Sequence, residues 1–292
     1  MKKAVVFIKG GFGNQLFQLS FANYIREMQY DVKINNYFLS QKNQNTKRTL
    51  MFPSKINGFS EMTYLNKKKF NLFLKLNSSQ KISTTFIKKY ITQYKFTKEY
   101  SSNLNTEDHV IFFNSYWKNM AYVEFSKEYI LQVLKNYPLI DKQLKTNITT
   151  DRILIHVRRR DFIDNKWELN IGYYQKSLEI LKNKVDDLVF DIYTDDLDWV
   201  NSHKIFKDAE NIYAQSSKTS SHNEQDDFNE TISTFASMLT YRHYIISNSS
   251  FSFWAAFLSS TRESIVIVPD PWFKNNNHPL LKKENWITVK NV

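Results

Sequence analysis

Four short stretches hold residues whose types and spacing could do chemistry: GGFGNQ at 10–15, HVRRRDF at 156–162, TDD at 194–196 and SNSS at 247–250. Three consecutive arginines offer forked guanidiniums, which grip a pyrophosphate at two points and neutralise a departing nucleotide without a metal. Arg158 is the candidate for that grip, and His156 and Asp161 are candidate proton acceptors beside it. An arginine next to Asp161 makes it a poorer base, so the base stays unassigned. Alternation along an extended strand would aim His156, Arg158 and Arg160 one way and Val157, Arg159 and Asp161 the other. One of the three arginines is expected to be structural, paired with Asp161.

The other stretches offer complementary groups. Asp195 and Asp196 could hold a metal between sugar-nucleotide phosphates, accept the N1–H and amine of guanine, or cap the helix that follows. Ser249, Ser250 and Phe251 stand between a strand and a helix, where hydroxyls and free backbone N–H groups suit a phosphate. Gly10, Gly11 and Gly13 allow positive φ and close approach by a ligand. Two common phosphate loops are excluded, because Leu16 stands where a dinucleotide loop has its third glycine and no Gly-Lys-Ser/Thr follows. Asn14 and Gln15 add amides that could bond a sugar's hydroxyls. Taken singly, each stretch also reads as ordinary structure: a tight turn, a salt-bridged strand end, a helix cap.

The elements that must position these groups alternate. AVVFIK reads as a strand, Phe17, Phe21, Tyr24 and Met28 recur at helical spacing, and DVKIN is a short strand. A second series begins near residue 150: RILIHV, then a helical YYQKSLEILKNKV, then the strand LVFDIYT. Asn229 is placed to cap a helix bearing Ile232, Phe235, Ala236 and Leu239, followed by the strand YIIS, a helix SFSFWAAFL and a strand SIVIVP. Strands alternating with helices imply parallel sheets covered on both faces. The segment 138–151 is the expected seam between the two series, giving domains 1–145 and 146–292, with the last residues packing back on the first.

Composition narrows the classes. A chain of 292 residues with 42% hydrophobic and 16% aromatic content can bury sizeable cores. With no cysteine there is no disulfide framework and no thiolate metal site. The apolar run after MKK is too short for a signal peptide, and no stretch reaches the roughly 18 residues of a membrane span. A cytoplasmic protein is expected. Residues 41–100 carry thirteen Lys or Arg against two acids, a surplus of eleven that equals the net charge of the whole chain. Interleaved aromatics make this segment a candidate surface for phosphate, anionic lipid or nucleic acid.

Together, GGFGNQLFQLSFA, HVRRRDF, YTDDLDWV, ISNSSFSFWAAFL and PDPWF resemble, in order and spacing, the α-1,2-fucosyltransferases of glycosyltransferase family 11. The sequence departs from the family pattern at Arg160, Phe253 and Ala255. The resemblance implies an α/β, GT-B-like architecture of two Rossmann-like domains facing across a cleft, the first presenting the acceptor and the second gripping the donor. It implies inverting, metal-independent transfer of L-fucose from GDP-β-L-fucose to a β-galactoside, α-1,2-linked, in bacterial surface glycan such as O-antigen, lipopolysaccharide or capsule. Another GDP-deoxy sugar such as colitose is the alternative donor. By motif match, Arg158 would contact the pyrophosphate, Asp195 the guanine, Ser249 and Ser250 the phosphates, and Asn14 the donor sugar, with Gly11, Gly13, His156 and Phe251 also at the site. No cofactor or metal is implied beyond GDP-fucose as donor substrate, and no nucleic-acid partner. Three other readings are a metal-dependent transferase using Asp195 and Asp196, a non-catalytic glycan-binding module and a nucleic-acid binder.

A lipid-linked acceptor would bring the basic segment to the inner face of the cytoplasmic membrane. Each Lys or Arg near an anionic surface contributes about 1 kcal/mol. Glutamine at Lys67, Lys68 and Lys69 should therefore weaken salt-sensitive sedimentation with anionic vesicles while sparing transfer to a small soluble acceptor. Failure of the unaltered protein to bind such vesicles at low salt would reject the membrane contact.

Overall fold

The computed structural model describes residues 2–39, 49–52, 59–61, 94–97, 110–146, 150–215, 224–274 and 280–291. Most of the basic segment, including Lys67, Lys68 and Lys69, lies outside the described residues. The chain forms two compact units, Met1–Val133 and Leu134–Val292. Among the described residues no helix is long and apolar enough to cross a membrane.

The first unit holds β1 (Lys2–Phe7), α1 (Phe12–Glu27), β2 (Tyr30–Asn35), β3 (Ser60–Glu61), β4 (Tyr94–Thr97), β5 (Val110–Phe113), α2 (Met120–Phe125) and, reaching its end, α3 (Lys127–Leu134). Its sheet is parallel in the order β3-β2-β1-β5-β4. The direction of winding reverses at β1, so the loops after β1 and β5 flank the crevice where open α/β sheets take ligands. The last four residues of β1 are buried, as expected of a strand covered on both faces. Helix α1 is buried on nearly every side rather than along one stripe, and Met28, expected on the apolar face, is an exposed C-cap. Burying α1 that fully encloses Gln15, Gln18, Ser20 and Asn23, and each of these finds a partner. Asn23 Nδ2 donates to Ser126 Oγ at 3.1 Å, and Ser126 Oγ donates to Ser20 O at 2.7 Å.

The second unit runs α4 (Pro138–Thr146), β6 (Thr150–Val157), α5 (Arg160–Asp164), α6 (Ile171–Lys182), β7 (Phe190–Thr194), α7 (Leu197–Ser202), β8 (Asn211–Ala214), α8 (Glu224–Met238), β9 (Tyr241–Ile245), α9 (Ser250–Ser259), β10 (Val266–Asp270) and β11 (Ile287–Lys290). Its parallel sheet has the order β11-β10-β9-β6-β7-β8, with the reversal at β6. The expected seam contains α4, with Pro138 at the first helical position, where its missing N–H costs nothing. Asn229 is no cap: α8 begins at Glu224, and acids in its first turn complement the helix dipole. One face of the sheet packs Ile153, Ile155, Val157 and Ile192 against Tyr173, Tyr174 and Leu178 of α6.

The other face carries a buried carboxylate. Asp191 of β7 takes Arg152 of β6, the backbone N–H and side-chain amide of Asn211 of β8 at 3.0 and 2.9 Å, and the hydroxyl of Tyr241 of β9 at 2.7 Å. Four adjacent strands thus converge on one side chain. Asp191→Asn should lower the unfolding free energy by about 3 kcal/mol, because Arg152 is left without its counter-ion. Urea melts of the two proteins measure that loss.

Candidate functional site

At the carboxyl end of β6 the strand stops at Val157, before the arginines. Arg159 takes the helix N-cap position with φ −135° and ψ −52°, and Arg160 opens α5, so strand alternation does not carry through the run. The three guanidiniums are sorted by their partners instead. Arg158 lies between two carboxylates: Nη2 bonds Asp161, and Nη1 lies 2.7 Å from Asp195 Oδ2. Arg159 donates its backbone N–H to Asp195 Oδ1 at 2.7 Å and its Nε–H to Asp196 Oδ2 at 3.0 Å, with its guanidinium 4.3 Å from the centre of the Trp199 ring. Arg160 donates to Gln215 O at 3.0 Å.

The two acids after β7 have separate tasks. Asp195 is buried, and each of its oxygens faces an arginine group, so it ties the loop after β6 to the end of β7. Asp196 caps α7 through Trp199 N at 3.1 Å and holds Arg159. Thr194, which the sequence reading passed over, accepts the Asp196 N–H at 2.9 Å and fixes the turn.

The loop after β9 lies on the other side of β6. Ser247 Oγ lies 2.8 Å from His156 Nδ1, and Asn248 Nδ2 donates to Trp167 O at 2.6 Å. Neither Ser247 nor Asn248 was singled out from the sequence, although both sit in the SNSS motif. Ser249 caps α9 by accepting the Phe251 N–H at 3.3 Å, so the ordinary capping role is present, with Ser250 as the first helical residue. Burial, and secondarily the Arg158 charge, bring the His156 pKa down to about 3. An imidazole that weakly basic is a poor proton acceptor at neutral pH, where a useful base titrates near the working pH.

In the first unit, Gly10 has φ +76°, and a Cβ there would lie 2.8 Å from Asn14 Nδ2 and 3.3 Å from Tyr116 Cε1. The glycine therefore admits neighbouring side chains of its own unit. Gly11 is the N-cap of α1 and makes no side-chain cap, while Gly13 is buried within the helix. Gln15 is fully buried and clamps backbone: its amide donates to Gly10 O at 3.0 Å and Thr49 O at 2.9 Å and accepts from Met51 N at 2.9 Å. Its amide is thereby taken up, whereas Asn14 Oδ1 has no hydrogen-bond partner. Lys9 ties this loop to the one after β5, its Nζ donating to Asn114 Oδ1 at 2.8 Å.

A profile of Glycosyl transferase family 11 matches residues 4–290. The chain is 27% identical to an alpha-1,2-colitosyltransferase of Escherichia coli, over 99% of this chain and 100% of that protein. It is 25% identical to the O-antigen biosynthesis glycosyltransferase WbnK of Escherichia coli, over 97% and 99%. Among solved structures it is similar to the fucosyltransferase NodZ from Bradyrhizobium, with TM-score 0.52 at 13% identity over 88% of this chain and 92% of that one. It is also similar to NodZ alpha-1,6-fucosyltransferase soaked with GDP-fucose, with TM-score 0.53 at 14% identity over 95% and 97%. Two parallel-sheet units and this likeness show a GT-B fold.

The His156 environment has a thermodynamic consequence. Its folded pKa lies below the ordinary 6.5, so the fold favours the neutral ring. That stabilisation is complete above about pH 6.5 and is lost as pH falls from there toward 3, because the unfolded chain takes up the proton first. His156→Asn should lose less stability than the unaltered protein between pH 7 and pH 4, as read by urea midpoints. His243, whose pKa is also lowered, is common to both proteins and cancels.

Proposed function

Since the chain belongs to glycosyl transferase family 11, we propose that it transfers L-fucose from GDP-β-L-fucose to a galactoside hydroxyl, α-1,2 and with inversion, in bacterial surface-glycan synthesis. The observation that carries this reading is the setting of Arg158. The Asp195 side chain is 3% exposed and the Asp161 side chain 57%, so one counter-ion of Arg158 is fixed and the other stands in solvent. A donor diphosphate can replace Asp161 and leave Asp195 holding the guanidinium in place. The forked group then needs no rearrangement as charge grows on the leaving GDP, which is where preorganised donors act most strongly.

Transfer is a single displacement. The acceptor hydroxyl oxygen forms the bond to the anomeric carbon, the bond from that carbon to the phosphate oxygen breaks, and GDP leaves with the electron pair. The acceptor proton passes to a base that stays unassigned: Asp161, released from Arg158, has the exposure, and His156 is too weakly basic. Arginine supplies the neutralising charge, so the reading needs no metal. The start of α9, with Ser249, Ser250 and Phe251, faces the donor phosphates, and the glycine loop with Asn14 belongs to the sugar side. The likeness to an alpha-1,2-colitosyltransferase favours a second reading, in which the donor is GDP-colitose. A product analysis with both donors and a panel of β-galactosides decides between them.

Arg158→Lys keeps the charge and loses the fork, and turnover should fall on the order of 10² to 10³ with the melting temperature unchanged. Near-normal turnover would remove Arg158 from the site. Asp195→Asn should lower turnover by letting Arg158 move, while the preference for GDP over UDP and CDP in calorimetry stays the same. A changed nucleotide preference would instead make Asp195 a reader of the base.

A further inference from the structure

We propose that Glu168 is the base that takes the acceptor's proton, an inference that rests on the glycosyl-transfer reading above and fills the role left open there. Glu168 lies between α5 and α6, and one oxygen of its half-buried side chain, Oε2, is enclosed without a hydrogen-bond partner. Buried polar atoms are nearly always bonded, so an exception needs a reason, and a catalytic role is one. The acids around Arg158 are all engaged: Asp161 by Arg158, Asp195 by Arg158 and the Arg159 N–H, and Asp196 by Arg159 and the Trp199 N–H. Glu168 offers an open acceptor that those three do not.

The chain returns Glu168 to the arginine loop. Lys166, with φ 55° in the left-handed region, turns the backbone after α5, and the Trp167 N–H donates to Phe162 O at 2.8 Å. The Phe162 ring meets Trp167 edge-on at 5.9 Å and has the Arg158 guanidinium 5.5 Å from its centre. Trp167 also packs on Phe273, beyond β10, at 4.9 Å, and its carbonyl accepts from the Asn248 amide, beyond β9, at 2.6 Å. On the other side of Glu168, Leu169 is fully buried in the core with α6, and Asn170 caps that helix through Tyr173 N at 3.0 Å. Glu168 is thus fixed at both neighbours, between the arginine loop and the loop after β9. The buried Asn248 Oδ1, which has no partner either, is a second open acceptor beside the Trp167–Glu168 peptide. Two open acceptors at one place suit a sugar, whose adjacent hydroxyls are donors: one gives its proton to Glu168 while another bonds Asn248.

In the transfer, the acceptor O–H proton passes to the Glu168 carboxylate as the oxygen bonds the anomeric carbon and GDP leaves with the electron pair. The resulting carboxylic acid then gives the proton to water. Glu168→Gln keeps the shape and removes the base, so kcat should fall on the order of 10² to 10⁴ while GDP affinity, acceptor KM and the melting temperature hold. Formate, a small carboxylate, should restore turnover to Glu168→Ala in proportion to its concentration. A near-normal kcat in Glu168→Gln, a loss confined to GDP affinity or acceptor KM, or an Ala variant that formate does not rescue would each overturn the proposal. Should the Gln variant melt early, the Ala variant with and without formate decides, since formate does not repair a structural loss. Calorimetry with GDP and product yield from the unaltered protein test the transfer reading on its own. Absence of both overturns that reading and the role of Glu168 together, whereas transfer that survives Glu168→Gln overturns the role of Glu168 alone.

Discussion

The second unit depends on how β6 is held against β7. The two strands run parallel in a register that pairs Leu154 with Asp191 and Val157 with Thr194. An arginine at each end of β6 finds its counter-ion on or just beyond β7, Arg152 on Asp191 and Arg158 on Asp195. A one-residue slip would reverse the faces of β6, separate both pairs and turn Ile153, Ile155 and Val157 away from α6. The hydrophobic pattern and the ion pairs therefore demand the same register, and that agreement places the guanidiniums at the carboxyl end of the sheet.

On the proposed reading, the Asp191 end of this arrangement serves stability and the Arg158 end serves chemistry. Asp191 is enclosed by groups from three other strands, so its charge is compensated whatever happens at the surface. Arg158 is held from beneath by a buried acid and met from outside by an exposed one. A fully enclosed Arg158 would have no reason to exchange partners, and one without Asp195 would bind anions in no fixed orientation. The half-enclosed state meets both needs.

How much of this was legible in the sequence follows from the distance over which each feature is decided. Buried parallel strands are continuous apolar runs, so RILIHV and LVFDIYT read correctly as β6 and β7. The four-residue edge strands β8 and β11 lack such a run, and no reading found them. Asn229 matched a cap locally, but the helix had already begun at Glu224, and Asn229 only receives a bond from Gln225 at 3.1 Å. The arginine run announced anion chemistry. Its division of labour is set by acids 36 and 37 positions further along the chain, which no local pattern reveals. Gln15 looked available for sugar because its clamp, the carbonyl of Thr49 and the N–H of Met51, comes from a loop that the sequence left unassigned.

The two units solve the same topological problem with different chemistry. In each, the winding of a parallel sheet reverses, at β1 in one and β6 in the other, and the loops beside the reversal carry the candidate groups. The first unit puts glycines and amides there, groups able to bond hydroxyls. The second puts guanidiniums and a helix start there, groups that meet phosphate. A transferase must treat its two substrates unequally, since charge develops on the leaving diphosphate and little on the accepting sugar. On the proposed reading, fixed guanidiniums are therefore needed beside the leaving diphosphate, and the arginine run after β6 supplies them there.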